Sequence, residues 1–484
     1  MQDLKVKVYP RLTEFRGINT ALSPLAVSDS EAVELLNTSS DIYPAISQRR
    51  EPTEVMQGSF YKIKYLGKLF DKTLFCIANE NENGAFGFYV YKSNAWSKVT
   101  AGSTITAAFK NAEVISSTLF NENITVLGTG GKMITVKADG TSYKFEMLSP
   151  KNVPMVLPDG TNYTEEPMPT NVNFVVTKGY RLYTGSLSGI DLCCSQYQQI
   201  NWINADDIQI FHAATDAVSN TSALCEYSDM IMLFKENSIH LLYGKNPDSY
   251  SFDLMSKSIG CTSFKSIAET NKGLMWLAKD GIYMYSATTL PYKVSEPVKK
   301  YISEIANPSE CAAASDGVKY YLSAALRDGK KILLVYDTGK GVWHVEDNIG
   351  FNLFLYDGEN IIGVTDKKFY TLGTGAAAAK WRYITKPFDM GGASKTVNLF
   401  RIYLSLRAKS GARLDVGISN SVEGGFTTVK TETFSRDEDK LLEIPLLPTN
   451  DTRSLSFFRV KLSGSGECEI YGLEVFARIK DTTY

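Results

Sequence analysis

A chain of 484 residues is longer than one ordinary core accommodates and suits two or three domains, or a repeat array with an appendage. Its formal charge of −2 supplies no global basic field for nucleic acid or an anionic membrane. No apolar run approaches the roughly twenty residues of a membrane-spanning helix.

The opening segment, "MQDLKVKVYPRL", has no apolar h-region, so no Sec signal peptide is expected. The expectation is a protein made in a cytoplasm that stays there or leaves by another route. Residues 1–50 stand apart from the rest. "FRGINTALSPLAVSDSEAVELLN" reads as extended and then briefly helical, with Ser28 and Glu31 at capping-box spacing. Ala32, Val33, Leu35 and Leu36 would form the apolar side of that helix. "SSDIYPAISQRREP" follows, turn-rich and ending in Arg49-Arg50. With too few apolar residues to fold alone, this arm is expected to lie on something else.

Residues 51–376 are periodic. The 27 tyrosines and 24 phenylalanines fall largely in short segments with Val, Ile and Thr, as packed β-sheet requires. "YKIKYLGKLFDKTLFCIANENENGAFGFYVYKSNAWSKV" opens a series of units, each a strand pair around a turn followed by a further strand. In "GLMWLAKDGIYMYS" (273–286), Asp280-Gly281 interrupts two apolar runs, and the reading places Gly281 at a positive-φ turn position. Asp316-Gly317 and Asp357-Gly358 repeat the device. Unit onsets fall roughly 40 to 60 residues apart, overlapping the roughly 40 to 50 of a four-stranded propeller blade. A lone hairpin cannot bury its faces, whereas sheets stacked around an axis can. The expected fold is therefore all-β, a β-propeller of about seven blades, with six and eight open. Trp96, Trp202 and Trp343 sit late in their units, where an aromatic can cover the edge between blades.

Two interruptions are expected. Residues 149–173 are Pro-rich and read as a long loop. "VSEPVKKYISEIAN" reads as a helix capped by Ser295, with Pro297 in its first turn and Val298, Ile302 and Ile305 on one face. From 377 to 484 about six strands alternate strictly. Arg401, Tyr403, Ser405 and Arg407 oppose Phe400, Ile402, Leu404 and Leu406, the pattern of a β-sandwich or jelly-roll-like domain.

Groupings that carry chemistry are sparse. The seven cysteines are an odd set without C-x-x-C spacing and read as reduced core thiols. His212, His240 and His344 fall in separate units without metal-ligand or triad spacing. "GTGGK" (128–132) lacks the phosphate-loop frame and reads as a hairpin turn. Asp206-Asp207 reads as a solvated turn as readily as an acid pair. Propeller glycosidases need convergent carboxylates, and the Asp-Gly turns here lack the Ser-x-Asp-x-Gly-x-x-Trp frame. No catalytic, cofactor-binding or metal-binding residue is nominated, and no enzyme activity is expected.

Several stretches, in order, resemble tail-completion proteins of tailed bacteriophages. "FRGINTALSPLAVSDSEAVELLNTSSDIYPAISQRREP" resembles their opening. "MLFKENSIHLLYG", "SKSIGCTSFKSIAETNKGLMWLAKDGIYMYS", "PYKVSEPVKKYISEI" and "LVYDTGKGVWHVED" resemble their propeller section. The resemblance covers most of residues 15–350; the last hundred residues match less clearly. It implies the tail hub or nozzle (head-completion or DNA-stabilisation) protein of short-tailed phages. The implied function is that of a structural virion protein assembling as a homohexamer below the portal and adaptor. Such a ring extends the DNA channel and closes it after packaging, touches DNA only transiently and non-specifically, and meets tail-fibre proteins. Assembly would occur in the host cytoplasm and the final location would be the virion tail. Arg16, Arg49 and Arg50 are the candidate docking residues for a neighbouring subunit or adaptor. The rival reading is a receptor- or glycan-binding tail protein whose C-terminal sandwich is the binding module.

Overall fold

The computed structural model describes residues 6–148, 155–156, 162–163, 171–186, 192–200, 209–213, 220–377, 380–389 and 395–481. The protein is almost entirely β. Between residues 53 and 371 seven four-stranded antiparallel sheets follow one another among the described residues. The first six span 62–99, 116–147, 172–211, 221–256, 268–293 and 312–347, with strands hydrogen-bonded in chain order. The seventh takes three strands from 353–371 and its fourth, Thr53–Val55, from the N-terminal side of the first sheet.

Interior strands such as Met230–Lys235 and Gly273–Ala278 are buried along their whole length. This explains their nearly continuous apolar sequence, because both faces of each sheet meet another sheet. Every consecutive pair shares an apolar cluster. Phe75 and Phe88 of the first sheet meet Leu127 and Val136 of the second. Phe234 of the fourth meets Trp276 of the fifth, with ring centroids 5.3 Å apart. The series also closes: Ile63, Cys76 and Tyr89 of the first sheet pack with Ile362, Val364 and Phe369 of the seventh. Trp96 covers that closing seam, stacking on Phe369 at 5.0 Å and donating its indole N–H to the Met56 carbonyl at 2.9 Å. Trp343 does the same between the sixth and fifth sheets, through the Val294 carbonyl at 2.9 Å.

Two further sheets carry the C-terminal residues. The first orders Val6–Leu12, Cys468–Asp481, Lys395–Ala408 and Glu438–Pro445. The second orders Ala32–Leu36, Trp381–Thr385, Phe457–Ser465, Arg413–Ser419 and Thr427–Thr433. Leu404, Leu406 and Val475 of one share a buried cluster with Leu414, Val416 and Leu462 of the other, and the cluster runs on into the fifth and sixth sheets. Alternation holds for Ile402, Leu404 and Leu406, which are buried, but not for Phe400, which is exposed. A register shift between Leu399 and Arg401 turns Phe400 outward.

The structure corrects several local expectations. Residues 32–36 are a strand, not a helix, pairing antiparallel with Trp381–Thr385. The capping signal is present, since the Ser28 N–H donates to Glu31 at 3.2 Å, but it closes only a turn. An open sheet edge then supplies more backbone partners than one isolated helical turn could. Within 295–305 the α-helix is only Lys299–Ser303, after a 3₁₀ turn at Glu296–Val298. Ser295 does not cap it; its Oγ accepts the Ile282 N–H at 2.9 Å. Helix Gly102–Asn111 was not anticipated. Gly281 lies in a strand paired with Ala278, so the turn residues are Lys279 and Asp280. What excludes a side chain at Gly281 is space: a Cβ there would stand 2.6 Å from Ser295 Oγ. Gly317 and Gly358 do adopt positive φ, 91° and 106°. The 149–173 loop lies largely outside the described residues, as do Trp202 and Asp206-Asp207.

Candidate functional site

The arm is where sequence reasoning placed its docking residues, and it lies on its own chain. Residues 15–50 run between the sixth sheet and the two C-terminal sheets. The Ile18 N–H donates to the Trp343 carbonyl at 3.0 Å, the Asn37 N–H to Val345 at 2.8 Å, and Ile46 bridges Ile470. Under the arm a crevice of about 330 Å³ opens toward the sixth and seventh sheets.

Charged and polar side chains of the arm and of the sixth sheet meet in this crevice and on both sides of Arg49. Asn37, in the left-handed region at φ 56°, donates its amide to Asp347 at 2.6 Å and accepts from Arg49 Nε at 2.9 Å. The Arg49 guanidinium also reaches Glu51 at 2.7 Å and stands 3.6 Å from Glu346. Ser40 donates to Asp337 at 2.7 Å, and the Lys319 ammonium binds Asp41. Thr38 Oγ1 lies 3.0 Å from His344 Nδ1, while His344 Nε2 is buried without a partner.

Burial governs the titration of this group. Desolvation pushes the Glu346 carboxyl up to about 7, against the pull of Arg49. It pushes the His344 imidazole down to about 4, and the Lys319 charge acts in the same direction. Asp337 is held below the ordinary carboxylate range: burial works against ionisation, and hydrogen bonds from Ser40 and Lys340 overcome it. Among the described residues no group of three His, Cys, Asp or Glu side chains could hold a metal ion. The arrangement clamps the arm, since Arg49, Asp41, Ser40 and Asn37 are each engaged with a neighbour.

The three nominated arginines separate. Arg49 is only 5% exposed and is an internal clamp, so it is not available for docking. Arg50 is half exposed at the rim, 3.9 Å from Glu467. Arg16 is exposed and paired with Glu14 at 3.0 Å. Sequence reasoning missed Glu346, Lys319 and Asp41, because each acquires its role from a partner some three hundred positions away in several cases, as with Lys319 and Asp41. His240 is buried and stacks on Phe252, while His212 is exposed. Six of the seven cysteines are buried thiols, in keeping with core packing. Burial pushes Cys261, Cys311 and Cys468 up to about 12.

No protein-family model and no curated protein matches the sequence. Solved structures of similar shape include the extracellular domain of BT4673 from B. thetaiotaomicron, at 13% identity and TM-score 0.44, covering 81% of this chain and 47% of that one. PorZ, a surface component of the type-IX secretion system of Porphyromonas gingivalis, follows at 12% identity and TM-score 0.40, covering 81% and 55%. The CNH domain of AfRom2 is similar at 8% identity and TM-score 0.38, covering 66% and 98%. The chain spans about half the length of the first two proteins. These likenesses assign no activity to it.

Proposed function

We propose that the chain is a non-enzymatic structural subunit of a tailed-phage virion, a tail hub or nozzle that forms a six-fold ring below the portal and adaptor. In this reading the seven consecutive sheets are blades of one propeller. The two C-terminal sheets, completed by the strands of the arm, form a β-sandwich fixed to it. The observation that carries the proposal is closure. The seventh sheet is completed by Thr53–Val55, its apolar seam continues into the first sheet, and the arm is clamped between sandwich and sixth sheet. Both ends of the chain are thereby tied into one stiff block, which suits a ring subunit that must hold a channel against packaged DNA.

Electron microscopy of the purified protein, alone and with a portal–adaptor complex, tests this. Six-fold rings are expected; a strictly monomeric protein absent from purified particles overturns the proposal.

One feature favours the receptor- or glycan-binding reading. The outer face of the first C-terminal sheet holds a trough of about 560 Å³ around Ser405 and Gly472. Tyr403, Leu441, Tyr471 and Phe476 line it, and Leu441 is 67% exposed. The adjacent charges neutralise one another in the pairs Arg11–Glu474 and Arg407–Asp439, which suits an uncharged amphipathic sugar. Absence of rings, together with saturable glycan binding that Tyr471→Ala abolishes, selects this second reading.

A further inference from the structure

A second cleft, of about 730 Å³, lies on the other side of Arg49, between the arm, the end of the sixth sheet and the second C-terminal sheet. Five cationic side chains line it against three carboxylates. Each carboxylate is already engaged: Glu51 by Arg49 at 2.7 Å, Asp415 by Arg413 at 3.0 Å, and Asp347 by the Asn37 amide at 2.6 Å. Among the described residues Lys380 and Lys461 make no ion pair, although the Lys461 charge acts on Asp415 and its ammonium stands 5.9 Å from the Phe426 ring. Two buried donors also lack an acceptor. Trp381 is 2% exposed and its indole N–H is unpaired; Arg382 uses Nη2 on Glu34 at 2.5 Å and leaves Nε unpaired.

All four of these groups are donors or cations. A buried N–H without an acceptor is costly, and neither an indole nor a guanidinium can accept a proton to change its role. A cation entering the cleft would face five positive side chains against three carboxylates that already accept hydrogen bonds. An anion with several oxygens would bring countercharge to the two ammonium groups and acceptors to donors lining the cleft, and charge-assisted bonds of this kind are the stronger class. We propose that this cleft binds an oxyanion, the group presented by a phosphate or a carboxylate. This goes beyond the structural role argued above and does not depend on it.

The test is calorimetric titration of the full chain with inorganic phosphate and, separately, with citrate at constant ionic strength. Saturable binding of at least one is expected. Phosphate alone would identify a phosphate-bearing ligand, citrate alone a carboxylate, and both the oxyanion in general. Lys461→Gln and Lys380→Gln should each weaken the binding, and together by about tenfold or more, the scale of a charge-assisted contact. Trp381→Phe should weaken it while keeping the ring. Lys279→Gln, exposed at a remote turn, should leave it unchanged. Because Lys380 is exposed and Lys461 half-buried, these variants should keep their fold, which thermal unfolding verifies. No saturable heat with either anion, or unchanged affinity in the folded double variant, overturns the proposal.

Discussion

Adjacent arginines at 49 and 50 look alike in the sequence and do opposite work. Arg49 is buried with partners at 2.7 and 2.9 Å, whereas Arg50 is half exposed. Arg49→Ala should therefore lower stability by about 3 kcal/mol, the cost of breaking a buried charged network from one side. Arg50→Ala should cost less than about 1 kcal/mol, as for exposed pairs. Denaturant unfolding measures both, and equal effects would contradict the clamp. Glu346 adds a pH signature. Its folded pKa, about 7, lies above the ordinary 4.5, so the folded state holds the proton more tightly. The associated stability is complete below pH 4.5 and is lost as pH rises through 7. Glu346→Gln should thus gain stability relative to the parent between pH 5 and pH 8, by at most about 3 kcal/mol. His344 has the reverse sign. Its pKa is depressed from 6.5 to about 4, so its contribution is present above 6.5 and is lost as pH falls toward 4. A Glu346→Gln difference that does not change with pH would show that the carboxyl titrates normally.

At the scale of elements, the strands at the two ends of the chain explain the placement of the arm. Val6–Leu12 is an edge strand on Cys468–Asp481, and Ala32–Leu36 one on Trp381–Thr385. Residues 377–484 alone would expose both edges and lose the packing of Phe15, Ile18 and Leu35. Unpaired edges of this kind promote aggregation. Expressed alone, that fragment should be insoluble or unfold without a cooperative transition, and co-expression with residues 1–57 should restore it. A soluble, cooperatively folding 377–484 fragment would show that the arm contributes nothing to those sheets. Local pattern made 32–36 look helical because Ser28, Glu31 and four apolar residues satisfy a short-range rule. Five residues gain little from helix formation, and a ready sheet edge outweighs it.

For the whole molecule, the buried cluster that joins the C-terminal sheets to the fifth and sixth sheets makes one body of two sequence regions with different repeat character. In the proposed reading the stiffness a ring subunit needs comes from closure, and closure depends on a strand contributed from outside the 353–371 segment. The ring symmetry proposed above belongs to this scale, because six-fold assembly needs subunits that do not deform. The oxyanion cleft belongs to it as well: its walls come from the arm, the sixth sheet and the second C-terminal sheet, so it exists only in the assembled chain.

By itself, the sequence determined what depends on near neighbours. Alternation and Asp-Gly turns announced strands and hairpins, including Gly317 and Gly358 at positive φ, and repeated units announced a series of small sheets. Tertiary structure alone decided that 32–36 is a strand, that Gly281 is needed for space, and that Arg49 is internal while Arg50 is not. The reason is physical: each outcome is set by a group distant in sequence, Trp381–Thr385, Ser295 or Glu346, whose proximity no local pattern encodes.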